Sequence, residues 1–319
     1  MTMHAAVLDA TGSTPRYDEV PIPEAGDGQV RVKIELAGIN PIDLSMASGA
    51  FPGPYPTPPN VVGREGIGTT DDGRRVYFAG TVEPHGSLAE YAIVEDGPNL
   101  IQVTDELQAQ HAIAYGIAGM AGWISTVWRG GVTADDVVLV LGASGIVGQV
   151  AVQAARIAGA QQVIAAARSE AGLARALELG ADATVRITDD LDHDGLVEAL
   201  RAAVVVGDIT LVIDPLWGAP AAAAIEALGP NGRLVQLGQS AGATATLQSG
   251  WVRHNNIDIR GYTNFLVPRE VKLAEYGAML EAAEAGDLEL TIEELPLSAV
   301  ATAWERQAAS PGVKLVIRP

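Results

Sequence analysis

The residues Gly142-Ala143-Ser144-Gly145-Ile146-Val147-Gly148 have the types and spacing to hold a pyrophosphate. They follow an apolar run, Val137 to Leu141, and precede a stretch in which Ile146, Val147, Val150, Ala151, Ala154, Ile157 and Ala158 recur at helical spacing. Glycine permits a tight turn, lets the main chain approach a phosphate, and lets helix and strand touch. The helix N-terminus adds N–H groups and the positive end of the helix dipole. The spacing is G-x-x-G-x-x-G, with Ser144 at the usual middle glycine of G-x-G-x-x-G. An ordinary strand-to-helix turn has the same composition, and the flanking alternation of strands and helices favours the nucleotide reading. Ser144 is not the nucleophile of a G-x-S-x-G elbow, because Ile146 stands where the last glycine is needed.

The second apolar run ends in Ala165-Ala166-Ala167-Arg168-Ser169. An NAD enzyme places Asp or Glu there for the ribose 2′-hydroxyl, whereas a guanidinium pairs with a 2′-phosphate. Arg168, with Ser169 beside it, therefore favours NADP(H). The same arginine also reads as an exposed residue opening the next helix.

The elements that position these groups fall into two textures. Up to about Tyr115 short alternating runs, such as Val30 to Leu36 and Arg75 to Phe78, are broken by Gly and Pro and read as strands of an irregular β domain. Five prolines between Phe51 and Pro59 predict a rigid loop. From Val137 the runs Val137 to Leu141, Val163 to Ala167, Ile209 to Ile213 and Leu234 to Leu237 alternate with Ala-rich helical stretches. That alternation predicts an α/β fold with a doubly wound parallel sheet. Helices over about Glu270 to Ala285 and Ser298 to Ala308 and a last strand, Lys314 to Ile317, are expected to return to the first domain. The expected boundaries are 1–118 plus 264–319 for the β domain and 119–263 for the nucleotide domain. The run Ile257-Asp258-Ile259-Arg260 predicts an edge strand that pairs across a two-fold axis to form a homodimer.

Composition narrows the partners. A chain of 319 residues with 39 acidic and 20 basic side chains carries a formal charge of −19, which repels nucleic acid and anionic lipid surfaces. With no cysteine there is neither a disulfide, a thiolate nucleophile nor a thiolate-bound zinc. The histidines, His4, His85, His111, His193 and His254, are scattered, none at i, i+4. The start Met1-Thr2-Met3-His4-Ala5 lacks a basic then apolar leader, and no unbroken apolar run matches a bilayer, so a cytoplasmic protein without membrane contact is expected.

Taken together, these segments resemble the medium-chain dehydrogenase/reductase superfamily, and within it the zinc-independent quinone oxidoreductase branch. The resemblance runs nearly end to end. It is carried by Ala37-Gly38-Ile39-Asn40-Pro41-Ile42-Asp43-Leu44, Gly63-Arg64-Glu65-Gly66-Ile67-Gly68, Gly86-Ser87-Leu88-Ala89-Glu90-Tyr91, the turn at Gly142, Glu178-Leu179-Gly180-Ala181-Asp182, Val212-Ile213-Asp214-Pro215 and Gly232-Arg233-Leu234-Val235-Gln236-Leu237-Gly238. Zinc alcohol dehydrogenases carry cysteine where Asn40 stands, histidine where Arg64 stands, and a four-cysteine lobe where this chain has only a short stretch around Gly80 to Gly86.

The resemblance implies a GroES-like β-barrel domain plus a Rossmann domain, no metal, and NADPH-dependent reduction of quinones or α,β-unsaturated carbonyls. Without zinc, hydride addition relies on hydrogen-bond donors and on conjugation that spreads the developing charge. It implies Asn40 near the nicotinamide ribose and the substrate oxygen, Asp43 as its support, and Gly238, Gln239 and Ser240 as further coenzyme contacts. Asn40 equally reads as a turn residue before Pro41. The family's tyrosines are absent at Ser45 and Phe51. Tyr55 replaces one of them or simply packs. Met120 stands for a frequent threonine, and Gly172 for a lysine that often meets the 2′-phosphate, which leaves that task to Arg168. A shifted substrate pocket lined by Phe51, Tyr55, Met120 and either Trp123 or Phe265 is expected from these departures, though each apolar member also reads as core. Short-chain dehydrogenases are excluded, because no tyrosine is followed by lysine four places on. The remaining alternative is a protein of this fold that binds NADPH with little turnover.

Overall fold

The computed structural model describes residues 1–51, 53 and 55–319; of the proline-rich segment, Pro52 and Pro54 lie outside the described residues. The chain divides into two compact units, Met1–Ile117 with Thr291–Pro319, and Ala118–Leu290.

Among the described residues, the second unit is built on a six-stranded sheet in the spatial order Ala183–Arg186, Gln162–Ala167, Val137–Leu141, Ile209–Asp214, Leu228–Gln236, Asp258–Gly261. Every neighbouring pair is parallel. The chain winds outward from Val137–Leu141 to one side and then returns to continue on the other, so the carboxyl ends of Val137–Leu141 and Ile209–Asp214 flank the crevice where such sheets bind ligands.

All five side chains of Val137–Leu141 are buried, as a strand covered on both faces requires. Residue parity sorts them. Val137, Leu139 and Leu141 join Ile164, Ala166 and Val212 in one core, while Val138 and Val140 join Val163, Ala165, Leu211 and Ile213 in the other. The strand expected at Leu234 begins earlier, at Leu228, with a register irregularity between Ile209 and Leu211 on its partner. Gly229, Pro230 and Gly232 give that segment the composition of a turn, which hid it from periodicity.

The first unit is β-rich. One sheet orders Arg16–Pro21, Thr2–Leu8 and Asn60–Val61. The larger one orders Ile292–Pro296, Lys314–Arg318, Gln29–Gly38, Glu65–Thr70, Arg75–Ala79 and Leu100–Gln102, and Tyr91–Glu95 also pairs with Gln29–Gly38. Val32, Ile34, Phe78, Trp304, Leu315 and Ile317 share its core.

The return to this unit comes at Thr291 and not at residue 264 as expected, so residues 264–290 belong to the second unit. The helix Arg269–Ala285 and its exit are tied there by polar bonds that periodicity does not reveal. Trp123 Nε1 donates to Glu275 at 2.9 Å, Gln153 Nε2 donates to Glu289 O at 2.9 Å, and Glu289 N donates to Gln153 Oε1 at 2.7 Å. The helix expected from Ser298 opens instead as a short 3-10 turn, Leu297–Ala299, before Val300–Ala308.

Candidate functional site

The turn after Val137–Leu141 is shaped by its end glycines. Gly142 has φ +61°, a left-handed conformation, and a Cβ there would stand 3.0 Å from Leu216 Cδ2 and 3.2 Å from Pro215 Cγ. A Cβ on Gly148 would stand 2.4 Å from Gly142 O and 2.6 Å from Ala143 Cα, so only glycine lets the helix lie this close to the turn. The turn is pinned by Ala143 N to Ala166 O at 3.2 Å and Gly145 N to Gly142 O at 3.0 Å. Ser144 O accepts from Gln149 Nε2 at 3.0 Å.

Gly145 is the N-cap of the helix Ile146–Ile157 and provides no capping side chain. Gln149 N bonds back to Gly145 O at 2.8 Å, which leaves the N–H groups of Ile146, Val147 and Gly148 directed out of the helix end. Gly122 buttresses this first turn, since a Cβ on it would come 2.4 Å from Val147 O. The result is a fixed set of main-chain donors with the chemistry of an anion cradle.

The neighbouring strand ends feed the same place. Asp214 closes Ile209–Asp214, and its Oδ1 accepts from Leu216 N and Trp217 N, both at 2.9 Å. That holds the Pro215-Leu216 corner packed against Gly142. Burial pushes the Asp214 carboxyl up to about 6, against the pull of the Trp217 and Leu216 amides. Its Oδ2 is buried without a hydrogen-bond partner among the described residues.

Gly238, Gln239 and Ser240 lie against this corner. A Cβ on Gly238 would meet Pro215 O at 2.4 Å, Ser240 Oγ donates to Pro215 O at 3.3 Å, and Ala241 N bonds to Leu216 O at 2.8 Å. The structure therefore brings the Gly142–Gly148 turn and the Gly238–Ser240 segment to one end of one sheet. Arg168 is exposed just beyond Gln162–Ala167. Ser169 is the N-cap of the helix Glu170–Glu178, and its Oγ accepts from Gly172 N at 3.1 Å.

The candidate catalytic residues sit in the other unit, in a buried polar network. Asn40 caps the helix Pro41–Ala47 and is only 1% exposed. Its Nδ2 donates to Glu65 Oε2 at 2.9 Å, and its Oδ1 accepts from Lys314 Nζ at 2.6 Å. Lys314 and Glu65 form an ion pair at 3.2 Å, and Tyr77 OH donates to Glu65 Oε1 at 2.8 Å. Ile117 N donates to the same oxygen.

Two glycines make room for this carboxylate. A Cβ on Gly38 would fall 2.1 Å from Glu65 Oε2, and one on Gly116 would fall 2.0 Å from Glu65 Oε1. Gly38 is Glu65's register partner in the antiparallel pairing, so the requirement follows from the strand alignment. Glu65 and Lys314 were not singled out by sequence reasoning. The adjacent charges Arg64 and Glu65, set among Gly63, Gly66 and Gly68, were the one signal available.

Asp43 accepts from Asn40 N at 2.8 Å, completing a capping box. Burial pushes its carboxyl up to about 7, the Asn40 N–H opposes this, nearby Glu65 adds to it, and Lys314 and Arg64 oppose it. Asp43 Oδ1 is buried without a hydrogen-bond partner among the described residues. Such a carboxyl can hold or release a proton near neutrality.

Asn40 and Asp43 are thus joined to each other, while the Asn40 carboxamide is engaged inward. Tyr55 is 38% exposed and is not part of this network. Of the expected pocket residues, Met120 and Trp123 are buried at 2% and 5% exposure, whereas Phe265 is 54% exposed. Among the described residues no group of three or more His, Cys, Asp or Glu side chains is placed to hold a metal ion. Arg64, where zinc enzymes carry histidine, places Nη1 3.6 Å from Met46 Sδ.

A helix-wrapped parallel sheet with a glycine turn at its switch point, joined to a β-rich unit, defines a dehydrogenase architecture. The family model described as the alcohol dehydrogenase GroES-like domain matches residues 26–105, and the one described as zinc-binding dehydrogenase matches residues 147–278. A quinone oxidoreductase of Lama guanicoe is 28% identical over 304 residues, covering 92% of this chain and 88% of that protein. The structure of the Thermus thermophilus quinone oxidoreductase, described together with its NADPH complex, superposes with TM-score 0.81 at 26% identity, covering 99% of this chain and all of that one. A mycobacterial protein solved with NADPH superposes with TM-score 0.86 at 21% identity over 99% of this chain and all of its own, a likeness of fold alone. The chain belongs to the medium-chain dehydrogenase/reductase superfamily. Within it, the chain falls in the zinc-independent, quinone-oxidoreductase-like branch.

Proposed function

We propose that the protein reduces quinones or α,β-unsaturated carbonyls with NADPH, by metal-free hydride transfer. The observation that carries the coenzyme reading is the cradle itself: Gly142 at φ +61°, Gly148 closed against it, and an N-terminus without a side-chain cap. The residues present fit a dinucleotide. The amides of Ile146, Val147 and Gly148 would hold the pyrophosphate, Gly238 to Ser240 lie at the same sheet end, and the exposed Arg168 would meet a 2′-phosphate. When bound, NADPH supplies the hydride.

The substrate class rests on the branch and on quinone oxidoreductase relatives such as that of Lama guanicoe. An acceptor already electrophilic by conjugation needs no Lewis acid to spread the charge that hydride addition creates. Asn40 and Asp43 are proposed as the polar pair that supports the reacting end, Asp43 holding a proton near neutral pH and Asn40 ordered by Glu65 and Lys314. Tyr55 is proposed as a hydroxyl on the substrate side. A homodimer through the exposed edge Asp258–Gly261, and a cytoplasmic location, complete the reading.

The test is to mix the purified protein with NADPH or NADH and a panel of quinones and enones, and follow coenzyme absorbance. Consumption of NADPH with a conjugated acceptor is expected. Tight NADPH binding with no consumption by any acceptor selects a coenzyme-binding protein without turnover, and full activity with NADH alone removes Arg168 as selector.

A further inference from the structure

The two segments assigned to the coenzyme meet at one close approach. A Cβ on Gly172 would lie 2.3 Å from Ser144 Cβ, 3.1 Å from Ser144 Cα and 3.4 Å from Ser169 Cβ. Ser144 is the middle of the phosphate turn. Gly172 lies in the first turn of Glu170–Glu178, the helix that Arg168 and Ser169 lead into.

Neither side can yield by a rotamer change. Ser144 Cβ is bonded directly to the main chain, so relief of an overlap requires the turn or the helix to move. The turn is held by Ala143 N to Ala166 O at 3.2 Å and by Gln149 Nε2 to Ser144 O at 3.0 Å. The helix is held by Leu173 N to Ser169 O at 2.9 Å, by Gly172 N to Ser169 Oγ at 3.1 Å, and by the buried side chains of Leu173 and Ala176.

We infer that the Ser144–Gly172 contact is the spacer that sets the distance between the pyrophosphate turn and Arg168, which makes Gly172 a positioning residue for coenzyme selection. The inference rests on the NADP(H) reading above. A guanidinium meets a phosphate through directional hydrogen bonds, so a shift of the corner relative to the turn weakens the 2′-phosphate contact more than the pyrophosphate contact. Gly172 does not adopt a left-handed φ, so alanine is allowed by its backbone and the overlap with Ser144 alone decides the outcome. At an unconstrained helix position, glycine to alanine stabilises. Here the sign reverses.

The experiment measures NADPH and NADH dissociation constants by calorimetry, and thermal midpoints, for the wild type, G172A, S144G and the double variant S144G/G172A. G172A is expected to weaken NADPH binding by about 10-fold or more with a smaller loss for NADH, and to lower the midpoint; the double variant returns to within about threefold of S144G, a coupling that contact predicts. Should G172A fail to fold, the double variant, which removes the overlap, decides by the same comparison with S144G. A G172A protein that binds both coenzymes like the wild type and melts higher overturns the inference, as does a double variant that binds worse than S144G. A wild type that binds neither coenzyme overturns the NADP(H) reading and this inference together, whereas tight wild-type binding with an indifferent G172A overturns this inference alone.

Discussion

Lys314 Nζ and Glu65 Oε2 stand 3.2 Å apart with side chains 2% and 0% exposed, and they come from segments 249 positions apart in sequence. Glu65 accepts from Asn40, Tyr77 and Ile117 as well, so its carboxylate is extensively hydrogen-bonded. Removing one partner of such a pair leaves a buried charge uncompensated, which costs about 3–5 kcal/mol. Lys314→Met is therefore expected to lose stability on that scale in urea unfolding. Adding Glu65→Gln to it should recover part of the loss, and a double-mutant cycle without coupling would refute the pairing.

Asp43 gives stability a pH dependence of defined sign. Its carboxyl is pushed up to about 7 from an ordinary 3.8, so its contribution is fully present below the unfolded value and is lost as pH rises through about 7. Asp43→Asn keeps an acceptor for the Asn40 N–H and removes the titration. The variant should gain on the wild type as pH rises from about 4 to about 7, at roughly 1.4 kcal/mol per unit of pKa difference. Unfolding midpoints across that range check it, and a constant difference between the two proteins would sink the assignment.

Arg168→Glu replaces the proposed 2′-phosphate partner with the acid that suits a ribose hydroxyl. NADPH affinity is expected to fall by about 10- to 100-fold, the size of a lost charge-assisted hydrogen bond, while NADH affinity holds or rises. Calorimetry with both coenzymes reads the two numbers. Equal losses for both would assign Arg168 a structural role.

The strand Asp258–Gly261 occupies one edge of the parallel sheet, with Ile259 38% exposed. An unprotected edge invites pairing with a second copy. Sedimentation is expected to give twice the chain mass of 33.0 kDa, and Ile259→Lys is expected to shift the population towards single chains. A wild type that sediments as one chain at micromolar concentration ends the proposal.

Much of the second unit was legible in sequence, because fully buried parallel strands are apolar runs and the glycine turn lies between one such run and an amphipathic helix. Val137–Leu141 and the helix start at Ile146 follow directly from that pattern. The paired stretch from Leu228 was not legible, since Gly229 and Pro230 carry the composition of a turn. Nor was the attachment of residues 264–290, which depends on single polar bonds such as Trp123 to Glu275. For the candidate site, Asn40 and Asp43 were visible as residue types, but the inward engagement of Asn40 depends on Lys314, distant in sequence. The close approach at Gly172 likewise exists only once the helix Glu170–Glu178 is placed against the phosphate turn.

The β-rich unit is discontinuous in the chain, whereas Ala118–Leu290 is one uninterrupted stretch. During synthesis the coenzyme-binding unit has all its strands available before Lys314 leaves the ribosome, and domains generally fold as units. Glu65, made much earlier, waits for its counter-ion until the segment after Leu290 is translated. The first unit therefore completes its buried ion pair only after the whole of the coenzyme-binding unit has been synthesised.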